Sequence, residues 1–61
     1  MNYDQKGKRI RLIEMVKDPD PVRPGTEGTI TGEDGLGHVY VDWDDGRRLS
    51  LIRGVDRWED I

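Results

Sequence analysis

Val39-Tyr40-Val41-Asp42-Trp43-Asp44-Asp45-Gly46-Arg47-Arg48-Leu49-Ser50-Leu51 is the stretch from which the rest of the chain is read. Val39, Val41 and Trp43 alternate with Tyr40 and Asp42, and Leu49 and Leu51 alternate with Arg48 and Ser50. A period of two is the mark of a half-buried strand, apolar on one face and polar on the other. Asp45-Gly46 between the two runs tolerates the positive φ angles of a tight turn, so the stretch predicts a β-hairpin.

Toward the N-terminus, Ile10 and Leu12 alternate with Arg9 and Arg11, which predicts a first strand with a basic outer face. Beyond Leu12 the phase breaks, because Ile13 and Met15 are both apolar with Glu14 between them. Either a bulge resets the alternation or both faces are covered there, and the bulge is the preferred reading. Residues 1–6 are polar and predict a flexible N-terminus ahead of one domain spanning 7–61. Residues 17–25 hold all three prolines, which supply no ladder donor, so they read as a stiff exposed loop and not a central strand. Such a loop is a plain connection or a recognition surface.

Residues 26–31 are rich in β-branched side chains, and Gly28 inside that run predicts a bulge or a close backbone approach. Residues 33–37 read as a turn leading into the hairpin. After it Gly54 ends the fourth strand, and residues 55–58 form either one helical turn or a short strand that closes the sheet. The result is an all-β chain, five short strands in a small barrel that manages its edges by closure.

Size and charge limit what such a barrel can do. Sixty-one residues make one domain, and a chain of that size buries only about 60% of its unfolded surface. There is no cysteine, so neither a disulfide nor a thiolate site compensates for the small core. No apolar run approaches a membrane span, and a cytoplasmic setting is expected. The net charge of −3 is unevenly spread: residues 1–16 net +2, residues 17–46 net −6 and residues 47–61 net +1. An acidic chain is a poor general sleeve for nucleic acid, which is held by clustered Lys and Arg. A local basic patch forms only if folding brings Lys6, Lys8, Arg9 and Arg11 near Arg47 and Arg48; otherwise these charges simply solubilise the domain.

The runs Gly7-Lys8-Arg9-Ile10-Arg11-Leu12, Pro24-Gly25-Thr26-Glu27-Gly28-Thr29-Ile30, Val41-Asp42-Trp43-Asp44-Asp45-Gly46 and Gly54-Val55-Asp56, with Asp18-Pro19 between the first two, resemble a family of short, functionally uncharacterised proteins of bacteria, their phages and mobile elements. The resemblance extends from about Gly7 to Trp58 and also reaches the wider SH3-like barrels. It implies a small five-stranded SH3-like barrel and assigns no catalytic residue.

Chemistry finds little support in the motifs. Asp42-Trp43-Asp44-Asp45-Gly46 lacks the alternate ligand spacing and terminal Glu of a calcium loop, and reads better as a turn whose Asp side chains bond local amides. His38 is the only histidine and reads as a strand-start residue on a polar face. The neighbouring carboxylates Asp44 with Asp45, and Glu59 with Asp60, have no cleft to work across. No enzyme activity, metal or cofactor is expected. Binding remains: Tyr40 lies opposite Val39 and Val41 in phase, and Trp58 ends the last element. Tyr40 and Trp58 bordered by Arg48 and Arg57 form one candidate contact surface, with Arg9 and Arg11 added for a basic partner. The alternative has Trp58 sealing the barrel and Tyr40 packing under the proline loop. The leading expectation is a non-enzymatic protein-interaction module. Nucleic-acid or nucleotide binding through the basic and aromatic face is the alternative, and a second copy of the chain is a further candidate partner.

Overall fold

A computed structural model describes residues 6–61, so the flexible N-terminus expected over residues 1–6 lies, apart from Lys6, outside the described residues. The strands are β1 (Arg9–Glu14), β2 (Glu27–Glu33), β3 (His38–Trp43), β4 (Leu51–Ile52) and β5 (Arg57–Asp60). They form one antiparallel sheet in the order β4-β3-β2-β1-β5, and the described residues contain no helix.

The alternation sets the faces as expected. Ile10 and Leu12 of β1, Ile30 of β2, and Val39, Val41 and Trp43 of β3 all point inward and are buried. Past Leu12 the β1–β5 register slips by one residue, pairing Leu12 with Trp58 and Glu14 with Arg57. Ile13 is the extra residue of that bulge and turns outward, which lets Met15 return to the core. Gly28 is a close approach and not a bulge: a Cβ there would lie 2.8 Å from Trp43 Cε3. The bulge in β2 comes later, between Ile30 and Gly32.

The hairpin forms, with a different corner. Gly46 N–H donates to the Trp43 carbonyl at 3.0 Å, and Trp43 N–H donates to the Arg47 carbonyl at 2.9 Å. Gly46 alone takes a positive φ, +93°, while Asp45 does not. The loop is therefore the longer Asp44-Asp45-Gly46 connection, a turn ending in a left-handed glycine, which suits strand twist as well as the two-residue turn does. β4 is also shorter than the alternation suggests. The Trp43 indole N–H donates to the Leu49 carbonyl at 3.0 Å, and only an isolated Asp42–Arg48 bridge precedes Leu51.

Closure is where expectation and structure part. Among the described residues no ladder joins β4 to β5, so the sheet stays open at that seam. Two devices cover it. The proline loop inserts Val22 into the core, although residues 17–25 read as exposed. Asp56, in the turn before β5, is buried; its carboxylate accepts the Val16 amide at 2.8 Å and the Ile52 amide at 2.9 Å. The end of β1 is thus tied to β4 by one side chain where a strand ladder was expected.

Candidate functional site

Arg9 and Arg11 lie on the outer face, as the phase of β1 requires, but they do not form a basic surface. The Arg9 guanidinium donates to both carboxylate oxygens of Asp44, at 2.9 and 2.6 Å, and to Thr29 at 3.0 Å. Glu27 stands between the two arginines, 3.4 Å from each, and Arg11 also reaches Glu59 at 3.1 Å. Opposite charges on neighbouring strands are favourable cross-strand partners, and here they alternate from β5 through β1 to the turn after β3. Asp44 is held below the usual carboxylate range by the hydrogen bonds from Arg9, and those bonds push Arg9 up in turn. Arg11 is pushed up chiefly by Glu59. Lys8 pairs with Asp60 at 3.2 Å, so the basic strand is matched acid for base.

The two candidate aromatics separate. Trp58 is the partner of inward-facing Leu12 and packs, half-buried, against the core, with the Arg53 guanidinium 5.9 Å from the ring centroid. It seals the seam. Arg57 stays beside it and meets Glu14 at 3.9 Å. Tyr40 is on the opposite face, exposed, with its ring against Gly32, where a Cβ would stand 3.7 Å from Cδ2. It does not lie under the proline loop. Instead, Arg47 holds that loop by donating to the Asp20 carbonyl at 2.5 Å and the Pro21 carbonyl at 3.2 Å.

Tyr40 and Arg48 are the two candidates that the fold brings together. With Thr31, Val41, Asp42 and Ser50 they line an open groove of about 330 Å³ on the outer face. That volume is at the small end for a ligand site. The Arg48 side chain is 84% exposed and stands 3.6 Å from Asp42, a loose solvent-facing pair. The groove therefore offers a tyrosine ring, an exposed cation, the Thr31 and Ser50 hydroxyls and a carboxylate. This combination suits adhesion to an extended segment or a planar group, and it holds no nucleophile paired with a base.

Two further arrangements escaped the reading of the sequence. Arg53 donates to Glu33 at 3.1 Å while lying over Trp58, which links β2, β5 and the turn between β4 and β5. Asp34 gathers the β2–β3 loop: its carboxylate accepts the Leu36 amide at 2.7 Å and the His38 amide at 3.1 Å, and stands 2.6 Å from His38 Nδ1. Those bonds, the Leu36 amide foremost, lower Asp34 to about 2. The pattern Asp-Gly-Leu-Gly-His, an acid placed to bond amides two and four residues on, was the signal available for it.

Compared with known families, residues 2–61 match the model of a domain of unknown function, DUF4314. The chain belongs to the DUF4314 family. No curated protein and no solved structure matches it. In this DUF4314 domain, then, the paired face of Arg9 and Arg11, the seam under Trp58 and the Tyr40–Arg48 groove are distinct surfaces. Of these three, the groove is the one that sets an exposed aromatic ring beside a loosely paired cation.

Proposed function

We propose that this DUF4314 chain is an SH3-like small barrel acting as a non-enzymatic protein-interaction module, which takes a segment of a partner protein in the Tyr40–Arg48 groove. The observation that carries this is an exposed tyrosine ring beside a guanidinium that is 84% exposed, on a rigid sheet face. Exposed aromatics and arginine dominate binding energy where small surfaces recognise proteins. The strand order and inward core support the SH3-like assignment, as does the resemblance of the Gly-Thr-Glu-Gly-Thr-Ile and Val-Asp-Trp-Asp-Asp-Gly runs.

The same resemblance supports a role as an accessory protein of a phage or mobile element, and the cysteine-free composition supports a cytoplasmic setting. Among the described residues no helix is long and apolar enough to cross a membrane. Nucleic-acid or nucleotide binding is the second reading, favoured by the same Tyr40–Arg48 pair and opposed by the acids that match Arg9 and Arg11.

Selection of a random-peptide library on the immobilised protein tests the proposal. Peptides should be enriched, and Tyr40→Ala and Arg48→Ala should each weaken them roughly tenfold, about 1.4 kcal/mol, with unchanged melting. An empty selection overturns the proposal. So does enrichment indifferent to both variants. Salt-sensitive capture of oligonucleotides in place of peptides would transfer the groove to the second reading.

A further inference from the structure

Within that proposed role, and resting on it, the geometry points to the class of partner: we infer that the groove's edge accepts an extended acidic segment, which adds a strand beside residues 48–50. The backbone supplies the first argument. Leu51 pairs inward with Val39 of β3, whereas the Ile52 amide points the other way, to Asp56. Alternate residues of an antiparallel edge present their N–H and C=O groups on the same side, so Ser50 and Arg48 also face away from β3. Ser50 is exposed, lies outside every ladder and makes no hydrogen bond among the described residues. Ser50 therefore holds a donor and an acceptor ready, on an edge that stops at Ile52, whose carbonyl already accepts the Val55 and Asp56 amides at 3.1 and 2.9 Å.

Space and charge supply the second. A channel of about 350 Å³ runs along this edge, with Arg48, Ser50 and Ile52 on one side and Lys17, Asp18 and Pro19 on the other. Met15 and Leu49 form its apolar floor. The two acids of the channel are already engaged: Asp56 holds the Val16 and Ile52 amides, and Asp18 accepts the Asp20 amide at 2.9 Å. The two cations are not comparably held, since Lys17 has no ion pair among the described residues and Arg48 has only its loose contact with Asp42. An added strand places successive side chains on opposite faces. One set drops onto Met15 and Leu49, the other stands beside Ser50 and Tyr40, and an acidic side chain finds Lys17 and Arg48 at the rim.

Peptides enriched from the random library are the probe. They should alternate apolar with other residues and carry an acid at one fixed position. Ser50→Pro removes an N–H that bonds nothing among the described residues, on an edge where proline is tolerated, and should weaken these peptides at least tenfold. Arg48→Glu should weaken them likewise and favour peptides with lysine at the acidic position. N-methylation of alternate peptide amides should abolish binding in one phase and spare it in the other. Should Ser50→Pro fail to melt as the parent does, the N-methyl series decides alone. Peptides lost with Tyr40→Ala but indifferent to Ser50→Pro or to N-methylation would overturn the edge and leave the groove standing. Enrichment of basic peptides, or assembly of the chain with itself through this edge, would overturn the acidic partner. An empty selection would end both readings.

Discussion

Gly28 and Trp43 face each other across β2 and β3 with no room for a methyl group between them: a Cβ on Gly28 would stand 2.8 Å from the indole Cε3. It would also meet Val41 Cγ1 at 2.8 Å and the Asp42 carbonyl at 3.0 Å. Two of these neighbours are buried side chains and the third is backbone, so none moves freely. Gly28→Ala should therefore destabilise the domain by about 1–3 kcal/mol, as overpacking does, with red-shifted, weakened Trp43 fluorescence in the folded state. A melting curve matching the parent would show that the sheet has slack at this point.

Val22 makes the proline loop part of the core. Its side chain is 1% exposed, and the loop that carries it is tied down by Arg47 at Asp20 and Pro21. Val22→Ala removes two methyl equivalents from a packed site and should cost about 2 kcal/mol. Arg47→Ala should cost less in global stability. It should raise hydrogen exchange at the Gly25 and Leu12 amides, which bond across the base of the loop. Unchanged exchange at both amides would show that the loop holds its place without the arginine.

Asp56 stands where a closed barrel would have had a ladder. Asp56→Ala leaves the Val16 and Ile52 amides without their acceptor, at a cost of about 2–4 kcal/mol for two lost partners. Asp56→Asn keeps one carbonyl acceptor and turns an amide donor toward the other N–H, so its loss should fall between parent and alanine variant. Chemical denaturation orders the three; an asparagine variant as stable as the parent would mean that one of the two bonds is idle.

What could be read in advance follows from which forces are local. Alternation in Val39, Val41, Trp43, Ile10 and Leu12 reports a periodic backbone, and the break at Ile13 reports a bulge, because both are properties of consecutive residues. The neutralisation of Arg9 is not local. It depends on a register that brings Asp44 to a residue 35 positions away in sequence, and nothing in the run Arg9-Ile10-Arg11 announces it. Trp58 is set directly opposite inward-facing Leu12 of β1, 46 positions away in sequence, and residues directly opposed across two strands share a face. That is why pairing it with Tyr40 on one surface did not survive folding. The shortened β4 has the same origin, since the indole that captures the Leu49 carbonyl belongs to the neighbouring strand.

Asp34 links the β2–β3 loop to pH. Its carboxyl is lowered from 3.8 to about 2 by bonds that form only in the folded loop, first the Leu36 amide and then His38. A depressed carboxyl contributes stability that is fully present above its unfolded value and is lost as pH falls through the folded one. Asp44, depressed by Arg9, acts in the same direction. Acid melts should therefore show stability declining from about pH 4 toward pH 2, and Asp34→Asn should flatten that decline. The variant should be less stable than the parent at neutral pH and approach it near pH 2. Parallel curves for the two proteins would remove Asp34 from the acid response.

The acids around Arg9 and Arg11 make a prediction about nucleic acid that runs opposite to the basic look of β1. Each guanidinium already has carboxylates within 3.4 Å, so few counterions are released when a phosphate chain approaches, and affinity at moderate salt should be negligible. Replacing Glu27, Asp44 and Glu59 by their amides keeps the shapes and frees two cations on one face. The triple variant Glu27→Gln, Asp44→Asn, Glu59→Gln should gain binding to single-stranded oligothymidine, with a log–log salt slope of about −1.4 for two phosphates. The parent should show no measurable slope under the same conditions. If the parent binds as tightly as the variant, the pairing of this face does not govern access to it, and the second reading of the groove regains its ground.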